Sequence, residues 1–341
     1  MYHIINASRG LSFTAQLSEV DRGLRVWLGE EEKRGRRLVY CKVFLSDILN
    51  QYQSFIDSSL YREVLEPVNS TIVGQTPAAG TKIAMLASSA AMSEMLFLPL
   101  RLTEAEAFGQ SSYLQTLLLF DRYLKLMAPS HLAMKDHLVR TWIYVADIDV
   151  NYEGVVRARN DVFRRYGLTA DTHYVASTGI GGYTSTRHAT VGIDFLTCPT
   201  ARPADFFYLQ ALDHLNPTHD YGVAFERGTR LQLGGGQQFY ISGTASIDRH
   251  GNILYPGDVL RQTQRLLENI GALLANGGAR WENVNYFIVY LRDFSDFTVV
   301  NEYLSDRFPC VPFIILHAKV CRPGWLIEME CSASRFTVGL G

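Results

Sequence analysis

The sequence repeats one ten-residue strand pattern three times. Each copy is rich in β-branched and aromatic residues and ends at an Asp, over residues 38–47, 138–147 and 284–293. A stretch of helical character, a loop that contains Gly and a second apolar strand follow each copy. These second strands are predicted at residues 81–87, 189–196 and 325–331. The repetition predicts one β-α-β unit used three times, with function in the differences between copies.

The spacing of the copies sets the expected domain organisation. They begin at residues 38, 138 and 284, so they lie 100 and 146 residues apart, which leaves room before each for a hairpin and a helix. We therefore divide the chain into three units, at residues 1–95, 96–200 and 201–341. No low-complexity linker separates them, so we expect them to pack as one body.

The front half differs from unit to unit. In the third unit, residues 230–233 and 239–247 predict strands, and residues 258–275 predict a helix. Its apolar face is expected to contain Val259, Leu260, Thr263, Leu266, Leu267, Ile270 and Leu274. In the middle unit, a helix over residues 104–127 has a stripe expected to lie in the core, made of Tyr113, Leu114, Leu117, Leu118, Phe120 and Leu124. In the first unit, residues 30–37 predict a solvated charged turn.

Composition excludes several classes of protein. Apolar residues make up 47% and charged residues 19% of the chain, which is too apolar for disorder, and a net charge of -2 gives no general reason to bind nucleic acid or an anionic membrane. The most apolar stretch, residues 84–100, contains three serines and Glu94, so no membrane span is predicted. Five cysteines without a C-x-x-C pair favour reduced thiols, and residues 1–6 do not have the character of a signal peptide. A cytoplasmic protein is expected.

Several strings of the third unit resemble the YjgF/RidA family: residues 241–245, 258–269, 289–293 and 327–330. That family forms trimers with ligand sites in the clefts between subunits, and each subunit has a β-sheet covered by two helices. The resemblance therefore implies an α+β fold of repeated RidA-like units with mixed sheets. Three linked units imply an intramolecular pseudo-trimer, with the first unit degenerate and the catalytic group in the third.

Four strings follow one another along the chain: residues 139–142, 151–160, 177–182 and 208–216. In these strings and their order, and over most of its length, the chain resembles the chorismatases, which cleave chorismate in secondary metabolism. This resemblance implies a cofactor-free enzyme that releases pyruvate and leaves a hydroxylated ring acid.

One carboxylate breaks the symmetry of the repeat. When the last strands of the units are aligned, residues 83–86, 191–194 and 327–330 correspond, and only the third has an acid at the second position, Glu328. In both families the matching Glu is a site residue, and in chorismatases it is the proposed general acid. The alternative is a strand carboxylate paired with a nearby Arg, with Glu330 as a second acid on the same face.

The chemistry of such an acid suits chorismate. Protonating the terminal methylene carbon of the enol ether gives a cation that the ether oxygen stabilises. A carboxylic acid that is partly desolvated in a cleft can keep its proton near neutral pH because burial raises its pKa. Glu328 is therefore the predicted proton donor.

A dicarboxylate substrate needs fixed cations, and Arg pairs with carboxylates through two hydrogen bonds. Tyr152 and Arg159 lie seven residues apart in a predicted helix and so share a face. Both resemble substrate contacts of chorismatases. Arg140 is a further candidate, although it fits a strand salt bridge equally well. Arg157 and Arg164 are expected to be solvated.

The usual carboxylate-binding Arg of RidA proteins is missing here, because its approximate position falls within residues 311–313. This departure disfavours imine deamination. It also requires the cation to come from another unit, as Arg159 would.

Three further site residues follow from the resemblance to chorismatases. Tyr208 matches a substrate contact; alternatively, it is a buried aromatic residue with a satisfied hydroxyl group. Cys321 matches the thiol of the subgroup that forms 3-hydroxybenzoate, although it could be a small core residue. Gly234 is assigned the small position that accompanies this thiol. His214, His219 and Asp220 lack the pattern of a third metal ligand, so no metal is expected.

The sequence thus predicts a chorismatase that forms pyruvate and 3-hydroxybenzoate, alone or with 4-hydroxybenzoate. We expect no cofactor, no nucleic acid or membrane partner, and a monomer. Two alternatives stay open: a hydrolase that gives a dihydroxycyclohexadiene carboxylate, and a non-catalytic small-metabolite binder with a RidA-type cleft.

Overall fold

The computed structural model describes residues 1–336, apart from the side chain of Tyr221. The last five residues of the predicted third unit lie outside this range. The described chain forms three β-sheets, one for each predicted unit, with helices on their outer faces.

The first sheet has the strand order β1-β5-β2-β3. Its elements, with the short strand β4 that joins another sheet, are β1 (Tyr2–Asn6), α1 (Phe13–Lys33), β2 (Arg37–Leu45), α2 (Ile48–Ile56), a π-helical turn (Leu60–Leu65), β3 (Ser70–Gly74), β4 (Thr76–Pro77) and β5 (Ile83–Ala90).

The second sheet has the order β6-β9-β7-β8. The elements of this unit are β6 (Leu96–Leu100), α3 (Glu104–Ala107), α4 (Ser112–Met127), α5 (Met134–His137), β7 (Leu138–Val145), α6 (Ile148–Arg165), β8 (Ala176–Gly181) and β9 (Val191–Thr197).

The third sheet has the order β10-β11-β12-β15-β13-β14-β4, so a strand of the first unit closes its edge. Its own elements are β10 (Phe206–Tyr208), β11 (Gly228–Leu233), β12 (Gly236–Thr244), α7 (Val259–Asn276), β13 (Val284–Leu291), α8 (Phe297–Arg307), β14 (Phe313–His317) and β15 (Ile327–Phe336). Short 3-10 turns lie at Ala128–Ser130, Pro203–Asp205, Thr218–Tyr221, Trp281–Asn283 and Phe294–Asp296.

The same strand pairing occurs in all three units, which confirms the predicted repeat. The first repeat strand (β2, β7 or β13) runs parallel to the strand after the helix (β3, β8 or β14) and antiparallel to the last strand (β5, β9 or β15). The sequence did not predict β3, β8 and β14. In β8, Gly179 and Gly181 suggested a loop, because Gly is depleted in strands.

The front of the first unit differs from the prediction of a solvated turn. A 21-residue helix, α1, begins after Ser12, whose side chain accepts a hydrogen bond from the Ala15 amide. Near its end, Glu31 is fully buried and accepts hydrogen bonds from Arg36 and Ser89. The charged run is therefore partly an internal ion-pair network.

The predicted apolar stripe of α4 is also wrong in part. Leu114 and Leu118 are exposed, whereas the polar Gln115 and Thr116 are buried. The Gln115 side chain donates to the His188 carbonyl at 2.9 Å, and the Thr116 hydroxyl donates to the Ser112 carbonyl at 2.7 Å. Because their hydrogen bonds are satisfied internally, these polar side chains can face the sheet.

The three sheets share one central core, to which each contributes large buried side chains such as Phe44, Trp142 and Tyr290. Separate apolar clusters lie between the first two sheets and their own helices. Shared burial of this kind makes the units one body, as predicted. Among residues 1–336, no helix is both long and apolar enough to cross a membrane.

Two junctions between units carry equivalent buried charges. Asp194 on β9 accepts hydrogen bonds from Lys42 at 3.1 Å and Thr71 at 2.5 Å in the first unit. The aligned residue on β15, Glu330, accepts from Trp142 at 2.7 Å and from Thr178 in the second unit. The aligned position in the first unit is Leu86, which lies in the apolar core.

Candidate active site

A β-bulge positions the acid that breaks the symmetry. The pairing of β12 with β15 shifts register between Ile241 and Thr244, so the backbone of Gly243 lies beside Glu328. A Cβ atom on Gly243 would lie only 2.0 Å from Oε1 of Glu328. Only glycine therefore leaves space for this carboxyl group.

Glu328 is buried, with 4% of its surface exposed, and it lines a cavity. No residue of the described chain forms a hydrogen bond or ion pair with its carboxyl group. Burial, followed by the neighbouring charge of Glu330, raises its pKa to about 8, although Arg227 and Arg140 act in the opposite direction. The carboxyl group is therefore mostly protonated at neutral pH.

Helix α6 brings two predicted site residues to the same cavity. Tyr152 and Arg159 both line it, as their spacing of seven residues in the sequence suggested. The Tyr152 ring lies against β8 at Gly179, where a Cβ atom would be 2.8 Å from the ring carbon Cε2. A close approach of helix and strand thus positions the phenol group.

Arg159 is almost fully buried and has unfilled hydrogen-bonding capacity. Its Nε and Nη2 atoms have no hydrogen-bond partner in the described part of the chain. Its guanidinium group lies 5.7 Å from the centre of the Phe225 ring. A buried cation with unsatisfied donors is unfavourable unless an anion occupies the adjacent space. The cavity is therefore suited to a carboxylate ligand.

Cys321 lines the cavity beside Tyr152, to which its side chain is hydrogen-bonded. Burial, followed by the nearby Glu328, raises the pKa of the thiol to about 12. Cys321 is therefore a neutral thiol at physiological pH. It is a weak nucleophile, because only the thiolate is strongly nucleophilic. Its contribution here is its size and polarity.

The sequence analysis missed part of the cavity wall. Phe225, Arg227 and Trp325 all line the cavity. The Arg227 guanidinium group donates to the Asn216 carbonyl at 2.9 Å and lies 5.5 Å from the Phe225 ring centre, so Phe225 contacts two cations. Residues 209–227 contain only one short 3-10 turn, and an irregular segment gives no periodic signal.

Three predicted site residues lie elsewhere. Arg140 forms an ion pair with Glu330 at 2.7 Å and does not line the cavity, which is the arrangement expected for a strand salt bridge. Tyr208 faces an adjoining cavity, where its ring stacks on His173 at 4.4 Å. Gly234 lies in the turn between β11 and β12, beside a third cavity. The resemblance to chorismatases named these three residues, but the sequence alone could not show which cavity, if any, each one faces.

The described residues contain no cluster of three or more His, Cys, Asp or Glu side chains that could hold a metal ion. Among His214, His219 and Asp220, the Nε2 atom of His219 lies 3.6 Å from Oδ1 of Asp220. All five cysteines are free thiols.

The site thus combines an acid that keeps its proton with a guanidinium group that lacks an anion, in one cavity. The acid comes from the third unit and Arg159 from the second, so the cavity lies between units. Together, fold and site define an α+β protein built from RidA-like units arranged as an intramolecular pseudo-trimer.

Comparisons with known proteins agree with this class. The model of the family described as Endoribonuclease L-PSP matches residues 229–335, most of the third unit. A crystal structure of a chorismatase is similar over 98% of both chains, with a TM-score of 0.69 and 19% sequence identity. This likeness establishes the fold over 98% of the chain.

Two relatives match a shorter stretch. The 3-aminoacrylate deaminase RutC of Acinetobacter baylyi is 31% identical over 70 residues, which are 20% of this chain and 56% of the relative. A RutC family protein of Pyrococcus abyssi is 37% identical over 73 residues, which are 21% of this chain and 58% of the relative. The chain thus spans little more than half the length of these relatives.

Proposed function

We propose that this protein is a chorismatase that converts chorismate to pyruvate and 3-hydroxybenzoate. The observation that carries the proposal is the pairing of a protonated buried acid, Glu328, with an unsatisfied buried cation, Arg159, in one cavity. The full-length likeness to a chorismatase structure supports it. A neutral acid beside an anion site suits an acidic substrate that must be protonated on carbon.

In the proposed reaction, the Glu328 carboxyl group donates its proton to the terminal methylene carbon of the enolpyruvyl group. The resulting cation is stabilised by the ether oxygen, and the bond between that oxygen and the ring carbon breaks. The neighbouring ring hydroxyl group attacks this carbon to form an epoxide, and its proton returns to the Glu328 carboxylate. The epoxide then opens, and the ring loses a proton from carbon and becomes aromatic. Pyruvate and 3-hydroxybenzoate together contain all atoms of chorismate, so no water is consumed.

The other residues bind and orient the substrate in this scheme. Arg159 would pair with a substrate carboxylate through its free Nε and Nη2 donors, and Arg227 adds positive charge to the same wall. Tyr152 would hydrogen-bond the substrate, and the neutral thiol of Cys321 would bias the later steps toward 3-hydroxybenzoate. Most of the rate enhancement would come from positioning and from a dry, polarised cavity.

Incubation of the purified protein with chorismate, followed by chromatography and mass spectrometry, tests this function. We expect equal amounts of pyruvate and 3-hydroxybenzoate. A dihydroxycyclohexadiene carboxylate in place of 3-hydroxybenzoate would show the hydrolytic reaction instead. If no pyruvate formed even at protein concentrations near that of chorismate, while chorismate still raised the Tm, the protein would be a metabolite binder.

A further inference from the structure

A buried ion pair, Arg140–Glu330, lies next to the candidate proton donor on β15. Glu330 is two residues from Glu328 on β15, so both side chains project from the same face. The Glu330 carboxylate accepts from Arg140 at 2.7 Å, from Trp142 at 2.7 Å and from Thr178. The Thr178 hydroxyl also accepts from the Gly243 amide at 3.0 Å, and Gly243 is the residue against which the Glu328 carboxyl group lies.

The surrounding charges give Glu330 a particular role. The ionisable groups around Glu328 either interact electrostatically with its carboxyl group or line the same cavity. They are Glu330 on β15, Arg140 on β7, Tyr290 on β13, Arg227 before β11, Cys321 and Arg322 before β15, and Tyr152 and Arg159 on α6. Within the described residues, Glu330 is the single anion of this set. Its effect on Glu328 is only partly offset by Arg140, whose Nη1 atom donates to the Ile241 carbonyl.

We propose that the Arg140–Glu330 pair is a positioning pair that keeps the proton on Glu328 by holding a fixed negative charge behind it. This inference rests on the proposed function for its catalytic meaning. The negative charge of Glu330 disfavours a second negative charge, that of an ionised Glu328, on the same face of β15.

The repeat supplies a matched control. Asp194 on β9 is the residue aligned with Glu330, and it holds an equivalent buried pair with Lys42 at 3.1 Å. The residue aligned with Glu328 in that unit is Gly192, which has no carboxyl group. Asp194→Asn therefore disturbs a similar buried network without changing the surroundings of the candidate acid.

The test is the pH dependence of kcat/KM between pH 5 and 10 for the wild type, Glu330→Gln and Asp194→Asn. We expect Glu330→Gln to move the alkaline midpoint down by about one to two pH units, the size expected for one charge about 7 Å away, two residues along a strand. Below the new midpoint its activity should be close to that of the wild type, and Asp194→Asn should leave the midpoint in place. A uniform loss of activity at every pH, with an unchanged midpoint, would overturn the proposal.

A second readout does not depend on turnover. The Glu328 carboxyl carbon can be titrated by 13C NMR in glutamate-labelled protein, with its signal assigned by its loss in Glu328→Gln. A lowered midpoint in Glu330→Gln supports the inference even if chorismate is not cleaved; an unchanged midpoint in an active enzyme refutes the inference and leaves the proposed function standing. If Glu330→Gln does not fold, the double variant Arg140→Met/Glu330→Gln leaves neither charge of the pair buried. Its midpoint should fall by less, since both opposing charges are removed.

Discussion

At the scale of single residues, two glutamates on one strand have opposite environments. Glu330 is enclosed by donors from the second unit, whereas Glu328 faces a cavity and accepts no hydrogen bond from the described residues. The difference follows from the bulge at Gly243, which opens space only beside the first of them. One position is structural and the other is available for chemistry.

The raised pKa of Glu328 predicts a pH-dependent stability. Its native pKa of about 8 exceeds its ordinary value of 4.5. Between these values the native state binds one more proton than the unfolded state, so stability falls as the pH rises. Relative to Glu328→Gln, the wild type should lose about 1.4 kcal/mol of unfolding free energy per pH unit from about pH 5 to 8.

Urea denaturation at pH 5, 6, 7, 8 and 9 measures this difference. When the unfolding free energy is plotted against pH, the curves for the wild type and Glu328→Gln should diverge up to about pH 8 and run parallel above it. Parallel curves over the whole range would show that the Glu328 carboxyl group is not protonated in the native state.

Arg159→Met should separate binding from stability. Removing a buried guanidinium group with unsatisfied donors should leave the Tm of the free protein equal or higher, because its charge is uncompensated there. The KM for chorismate should rise by about 10-fold to 100-fold with the loss of a charged hydrogen bond. Arg157→Met, an exposed residue of the same helix that lies over the Tyr113 ring, is the control and should leave the KM unchanged. An unchanged KM in Arg159→Met would remove Arg159 from the binding site.

At the scale of secondary-structure elements, strands, a helix and irregular segments of the second and third units build the site together. Strand β15 supplies the acid, helix α6 supplies Tyr152 and Arg159, and residues 209–227 close one wall. The Ser242 hydroxyl group of the bulge links β8 of the second unit to residues 209–227, since it accepts from the Ser177 amide and donates to the Glu226 carbonyl. The bulge is thus a structural connection between units as well as a space for the acid.

Gly243→Ala tests the role of the bulge. The new Cβ atom would overlap the Glu328 carboxyl group and lie 3.1 Å from Cγ2 of Thr178, so the acid must move. We expect a loss of chorismate cleavage of at least about 100-fold, the usual contribution of a positioned acid, with the fold retained by circular dichroism. Gly29→Ala in α1, which has no heavy atom within 4 Å of the new Cβ, should be fully active. Near-normal turnover in Gly243→Ala would contradict the assigned geometry.

What the sequence could predict depended on local pattern. The first repeat strands and helices α6 and α7 have clear periodicity and were found. Helix α1 was missed because Gly23 and Gly29 interrupt its pattern, and its charged end suggested solvent exposure. At the site, Glu328 was found through the asymmetry of the repeat. Phe225 was not, because its segment contains no regular pattern and only tertiary packing brings it over Arg159.

At the scale of the whole molecule, one chain forms an arrangement with three junctions between units. Two junctions contain a buried acid that accepts hydrogen bonds from the neighbouring unit, and the third is apolar at the same position. The acid of the candidate site belongs to one unit alone. The repeat therefore supplies a scaffold, and divergence of its copies leaves one proposed active cavity among the described residues.

This arrangement predicts a monomer. The cavity takes its residues from two units of the same chain, and the central core is shared by all three sheets, so no second chain is needed to complete either. Light scattering coupled to size-exclusion chromatography should give the mass of one chain at micromolar concentration. A stable dimer or trimer would contradict this prediction.

The most direct test of the central claim compares chorismate cleavage by the wild type and by Glu328→Gln, with Glu302→Gln on the exposed face of α8 as the control. Pyruvate and the ring acid are quantified together by chromatography and mass spectrometry. We predict equimolar pyruvate and 3-hydroxybenzoate from the wild type and the control, and a loss of at least about 100-fold in Glu328→Gln. Near-normal pyruvate release by Glu328→Gln would show that this carboxyl group is not the proton donor.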